Sequence, residues 1–280
     1  MARYHRNEAR EWAREHMNGV ANVTIPTMTS DFKRINTKAA RHDVETAINH
    51  GFVGTLACSE HAITLAQYAE FTRAMVEQAD GRIMVIHHAV FNSLEENIEA
   101  VKLAEEAGAD LVLLGYPPFF HPKSLDDVYA YTKALCDSTR LGVILFPVPA
   151  WGFGSLHPAD IPLPLLRRLV DDCPNVVSIK AEGGMPHIMS AIEVHREFHK
   201  EVVISSPLEY EYVPLAQVIR KGGTEATLAQ HAQVKRQHMG GLQHNKTICV
   251  DGRAIQAALC GSTNFSWRAF YVQSNNALLF

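Results

Sequence analysis

The chain has 280 residues, 47% of them hydrophobic and 20% charged, enough for one large barrel or two modest domains with real cores. A formal net charge of −4 supplies no field that would draw nucleic acid or an anionic membrane, so neither is expected as a partner. Cys58, Cys136, Cys173, Cys249 and Cys260 are scattered without a C-x-x-C pair, which suits a reducing compartment; with no signal-peptide core and no run near the ~18 apolar residues of a membrane span, a cytoplasmic location is expected.

The predicted elements begin with a polar helical leader, followed by a strand within Gly19 to Ile25 and a turn-rich loop. Thr37 can cap a helix to about His50, and Gly51 stops it before a strand at Phe52 to Ala57. Thr64 opens a helix ending near Gly81, and Arg82 to Ala89 reads as a strand. Ser93 with Glu96 forms a capping box for a helix closed by Gly108. Asp110 to Gly115 is the next strand. A helix from Ser124, a strand at Gly142 to Pro147, a helix at Pro164 to Asp172 and a strand at Asn175 to Lys180 follow. A helix from Pro186 to Lys200 and a strand from Glu201 to Ser205 complete the pattern.

Alternation of this kind implies a parallel sheet with helices outside it, and a TIM-type (β/α)8 barrel fits better than a doubly wound sheet because no G-x-G-x-x-G follows the first strand. The loops after the strand ends carry Ser59-Glu60-His61, His87-His88, Phe119-Phe120-His121, Trp151-Gly152-Phe153, Lys180 and Ser205. A barrel brings them to one mouth.

Lys180 ends a short apolar strand. Burial disfavours an ammonium ion, and a lysine so placed can be relieved by a depressed pKa that leaves a nucleophilic, Schiff-base-forming amine. The alternative is a lysine that merely emerges at the sheet edge and reaches water.

Several segments in order, Leu103 to Asp110, Pro118-Phe119-Phe120, Val143 to Pro149 and Ser178-Ile179-Lys180, resemble the class I aldolases of the dihydrodipicolinate synthase and N-acetylneuraminate lyase family over residues 18 to 216. The resemblance implies a barrel in which Lys180 forms an imine with pyruvate or a related 2-oxo acid; no cofactor is expected, and no metal, since no H-x-H or H-E-x-x-H spacing is present. Its implied substrate-binding positions are Ala57, Cys58, Ser59, Glu60, Phe120, Phe146, Trp151, Glu182 and Ser205. At several of these the family's working groups are replaced: a relay tyrosine falls at Phe146, a second at Phe120, a threonine pair at Ala57 and Cys58, and an arginine at Trp151. Acid–base work then passes to other candidates, His87, His88 and His121 first, with His61, Glu60 and Glu182 beside them. Phe119, Phe120, Phe146, Trp151 and Phe153 are expected to converge at the mouth and to favour an aromatic or apolar substrate portion.

Beyond residue 217 the barrel pattern stops, so the barrel is expected to lack its usual last unit and residues 218 to 280 to form a separate segment. A helix is expected from Thr224 to about His238. His244-Asn245-Lys246, Asp251 and Gly261-Ser262-Thr263-Asn264 then resemble one catalytic half of the phospholipase D superfamily, on a hairpin of Thr247 to Val250 and Ala254 to Leu259. In that resemblance His244, Lys246, Asp251, Ser262 and Asn264 form a phosphodiesterase site completed in a dimer, an alternative to the lyase reading. A third alternative is a non-catalytic barrel. Homo-oligomerisation is left open, as is closure of the open barrel by a tail strand.

Overall fold

The computed structural model describes residues 3–59, 63–148, 151–157, 159–181 and 187–205, with backbone alone for 187–192, and the backbone of three strands in the tail. The chain divides into two compact units, Met1–Gly222 and Gly223–Phe280.

The first unit carries seven parallel strands in sequence order: β1 (Ala21–Thr24), β2 (Gly54–Ala57), β3 (Met84–Ala89), β4 (Leu111–Leu114), β5 (Gly142–Leu145), β6 (Val176–Lys180) and β7 (Val203–Ser205). Between them run the helices α2 (Thr37–Asn49), α3 (Leu65–Ala79), α4 (Leu94–Ala107), α5 (Leu125–Asp137), α6 (Leu163–Asp172) and α7 (His187–Phe198). The expected βα order is therefore present, with strands shorter than the apolar runs that signalled them. Among the described residues β7 does not pair with β1, so the sheet is a curled, open relative of the eight-stranded barrel.

Local chemistry sets the helix ends. Thr64 with Gln67 and Ser124 with Asp127 form reciprocal capping boxes. Ser93 accepts from the Glu96 amide, whereas the Glu96 carboxylate turns to the Asn92 amide instead of closing a box. The cap of α2 is Asn36, not Thr37, because its side chain reaches the Ala39 amide at 3.1 Å. Gly108 closes α4 at φ 95°, a left-handed conformation that glycine adopts without steric cost.

Two apolar clusters lie between sheet and helices, one under α2 and α3 and one under α4 to α7. A third fills the concave face: Met84 and Ile86 of β3, Leu111 and Leu113 of β4, Ile144 of β5 and Val177 of β6 pack against Ala9, Trp12 and Ala13. Those last three belong to the leader helix α1 (Ala9–His16). The leader is thus a plug for the interior and not a solvated preface. Arginines hold it there. Arg3 pairs with Asp110 at 2.7 Å, Arg6 donates to the Cys136 carbonyl at 3.1 Å, and Arg14 donates to the Lys200 and Glu201 carbonyls at 2.6 and 2.7 Å.

In the second unit, β8 (Lys246–Asp251) and β9 (Gln256–Gly261) form the expected antiparallel hairpin, and β10 (Ala277–Leu279) pairs with β9. These strands form a three-stranded sheet. The helix expected at Thr224 to His238 lies outside the described residues. No helix among the described residues is long and apolar enough to cross a membrane.

Candidate functional site

The site follows from strand parity. On β3, Met84 and Ile86 face the interior, so His88 does too, while Val85 and His87 face the helices. On β6, Val176 packs toward the helices and Val177 into the interior, so unbroken alternation would turn Lys180 outward. A bulge prevents this. Val143 of β5 pairs with Val176, but Ile144 pairs with Ser178, leaving Val177 as an inserted residue. Beyond it Ile179 faces the helices, Ser178 shares the interior face with Ile144, and Lys180 is turned inward beside Ser205 of β7.

There the Lys180 amine stands 4.1 Å from the centroid of the Phe146 ring. The Trp151 indole N–H donates to the Phe146 carbonyl at 2.6 Å, and the two rings meet edge to face at 5.7 Å. His88 lies close enough to feel the lysine charge. Burial first, then Lys180, depress its pKa to about 3, so its imidazole is neutral at ordinary pH. The Ser59 hydroxyl donates to the His88 carbonyl at 2.6 Å and ties the β2 loop to this strand. The Ser178 hydroxyl is fully buried and has no hydrogen-bond partner among the described residues.

The other sequence-named residues scatter. The Ala57 side chain belongs to the cluster under α2 and α3. Cys58 is buried just beyond it. His87 is buried against Tyr68, ring centroids 5.1 Å apart, and burial depresses its pKa to about 3. His121 is exposed. Four of the five named aromatics connect through Trp151, which meets Phe146 at 5.7 Å and Tyr116 at 5.5 Å, but they do not all stand at the lysine. Phe119 is 78% exposed, whereas Phe120 and Phe153 pack with Tyr116 and Tyr131 on the helix side of the sheet. Phe146 alone of the five touches Lys180 among the described contacts, with Trp151 behind it. Tyr116 and Tyr131, which organise the outer aromatic cluster, carried no signal in the sequence beyond ordinary core residues. Glu60, His61 and Glu182 lie outside the described residues.

In the tail, Lys246 and Asp251 stand at the two ends of β8, Lys246 opposite Gly261 and Asp251 opposite Gln256. His244, Ser262 and Asn264 lie outside the described residues. A two-stranded ribbon is common to many folds, so the hairpin does not by itself carry the phosphodiesterase reading.

Comparison with known proteins bears on the first unit. A family model described as the dihydrodipicolinate synthetase family matches residues 17–243, ending just before His244. The 4-hydroxy-tetrahydrodipicolinate synthase of Bacillus subtilis (strain 168) is 35% identical over 126 residues, 45% of this chain and 39% of that protein. The probable 5-dehydro-4-deoxyglucarate dehydratase of Ralstonia nicotianae is 30% identical over 186 residues, 65% of this chain and 56% of that protein. The chain spans about half the length of the curated relatives it matches. Among solved structures, a dihydrodipicolinate synthase of Bacillus anthracis aligns with TM-score 0.60 at 21% identity, covering 74% of this chain and 68% of that one. The dihydrodipicolinate synthase of Aquifex aeolicus aligns with TM-score 0.57 at 18% identity, covering 73% and 75%. At such identities the structural likeness speaks for the fold.

Proposed function

The chain belongs to the dihydrodipicolinate synthetase family, and from that premise we propose that it is a Schiff-base-forming lyase or synthase in which Lys180 attacks the carbonyl of a pyruvate-type 2-oxo acid. The observation that carries the reading is the bulge on β6, which turns Lys180 to the concave face at the strand's C-terminal end, where barrel enzymes gather their chemistry. Amine, ketone and one proton give an iminium ion and water. The iminium then withdraws electrons from the adjacent carbon, which permits C–C bond making or breaking there, or loss of water. Both a synthase and a dehydratase stand among the relatives.

The proton carrier is a separate question. A histidine with a pKa of about 3 is poorly matched to accepting a proton near neutral pH, so His88 serves as a neutral neighbour that orients groups. His87 faces the helix layer. Glu60 and Glu182, which follow β2 and β6 in the sequence, are the carboxylates we assign to proton transfer. Ser59 and Ser205 border the same end of the sheet. Phe146 and Trp151 give it an apolar wall that suits an apolar substituent on the oxo acid.

Borohydride reduction in the presence of pyruvate or an aromatic 2-oxo acid tests the reading. The expected result is a mass increment on the peptide containing Lys180, lost in Lys180→Ala; an unlabelled peptide across the series of acids sinks it.

A further inference from the structure

The Lys180 nitrogen lies 4.1 Å from the ring centroid at the position where the resemblance leads one to expect a phenol. A phenyl ring cannot carry a proton. It can, however, attract a cation to its face, and the attraction is stronger where water is excluded. We propose that Phe146 acts directly on the reacting nitrogen: its face stabilises the positive charge that the Lys180 nitrogen carries as the iminium of the adduct. This inference rests on the imine reading above.

Charge accounting supports it. The ammonium and the ketone together carry one positive charge, and so do the iminium and the water they yield. Two hydrogens leave nitrogen with the ketone oxygen, and the charge ends on the atom where it began. A group that favours a cation there without exchanging protons therefore stabilises the iminium relative to the neutral amine that attacks, whereas measured from the ammonium the two stabilisations cancel. The surroundings agree with that role. Trp151 fixes the Phe146 carbonyl by a 2.6 Å hydrogen bond and packs edge-on against the ring, which limits tilting of the face. His88, on the neighbouring part of the interior, does not place a second cation beside the lysine at ordinary pH, since burial keeps its ring neutral. Phe146 itself packs partly buried against the interior cluster, in the water-poor setting that cation–π attraction needs.

The consequence is a site that stabilises the imine without a local proton relay at this position. The iminium is favoured over the free neutral amine, and proton movement must be served from elsewhere.

The test replaces Phe146 by mono-, di- and trifluorophenylalanine, which drain the ring face in steps while nearly conserving its shape, and measures the pyruvate concentration that gives half-maximal borohydride trapping. At a pH high enough to leave the free amine neutral, we expect that concentration to rise in steps, about tenfold over the series, and at lower pH, where the ring favours ammonium and iminium alike, to rise less, with an unchanged thermal midpoint. Phe146→Leu, matched for apolarity, is expected to fall with the trifluoro variant. A trapping curve that stays flat along the series at that high pH, while the wild-type chain is trapped, overturns this inference alone. A wild-type chain trapped by none of the 2-oxo acids overturns the imine reading and this inference with it.

Discussion

Ser178 stands in register with Ile144, one residue later than the adjacent Val143–Val176 pair would set it. This offset gives Lys180 its direction. The carbonyl of Val176, at the start of the offset, accepts the Nε–H of Arg10 at 2.8 Å, so the plug helix α1 holds the strand at the point where it changes parity. The same guanidinium also reaches the Cys173 carbonyl at 3.2 Å.

Arg10→Met keeps the aliphatic stem and removes those donors. We expect it to cost about 1–3 kcal/mol in urea unfolding, as for a partly buried carbonyl left without its partner. Borohydride trapping at Lys180 should fall by more than the same loss of stability causes when it is introduced by a core truncation such as Leu135→Ala. Equal losses would show that Arg10 stabilises without positioning.

The orphan hydroxyl of Ser178 leads to a prediction of opposite sign. A buried hydroxyl without a partner is unfavourable, so Ser178→Ala should leave stability unchanged or raise it by about 1 kcal/mol. If the hydroxyl is held for substrate, trapping should nonetheless need more pyruvate. A variant that is both less stable and trapped normally would refute this account.

His87 and His88 make the fold acid-sensitive. Both have folded-state pKa values lowered to about 3 by burial, against about 6.5 when unfolded. Between those values the unfolded chain binds the extra protons, so stability falls as pH drops from about 6.5 toward 3, by about 1.4 kcal/mol per pH unit for each histidine. His87→Phe, which keeps an aromatic edge for Tyr68, should halve the slope of urea midpoint against pH in that window. An unchanged slope would mean that other groups set the acid limb.

Just past β4, Gly115 has no room for a side chain: a methyl group there would meet the Val90 Cγ2 first and come within 2.9 Å of the Trp151 Cη2. Gly115→Ala should therefore displace Val90 and push the indole from Phe146, cost on the order of 1–3 kcal/mol as overpacking does, and weaken trapping. Tryptophan fluorescence should shift in parallel. A variant with wild-type fluorescence and wild-type trapping would show that the indole does not brace the ring.

Much of this molecule was legible in order along the chain. The alternation of apolar runs with capped amphipathic stretches determined seven strands and their helices, because caps and periodicity are local. Ser124-Leu125-Asp126-Asp127 is a capping box wherever it folds. The lysine at the end of the sixth strand and the segments shared with the family were equally visible, and so was the tail hairpin. What faced what was not. Parity along a strand is decided by its pairing with a neighbour, and one inserted residue at Val177 reverses every side chain after it. Nothing in Val176-Val177-Ser178-Ile179-Lys180 announces that insertion. The same nonlocal cause sent Phe120 and Phe153 to the helix layer, left Phe146 under the Lys180 amine, and made a polar leader into the plug of the interior.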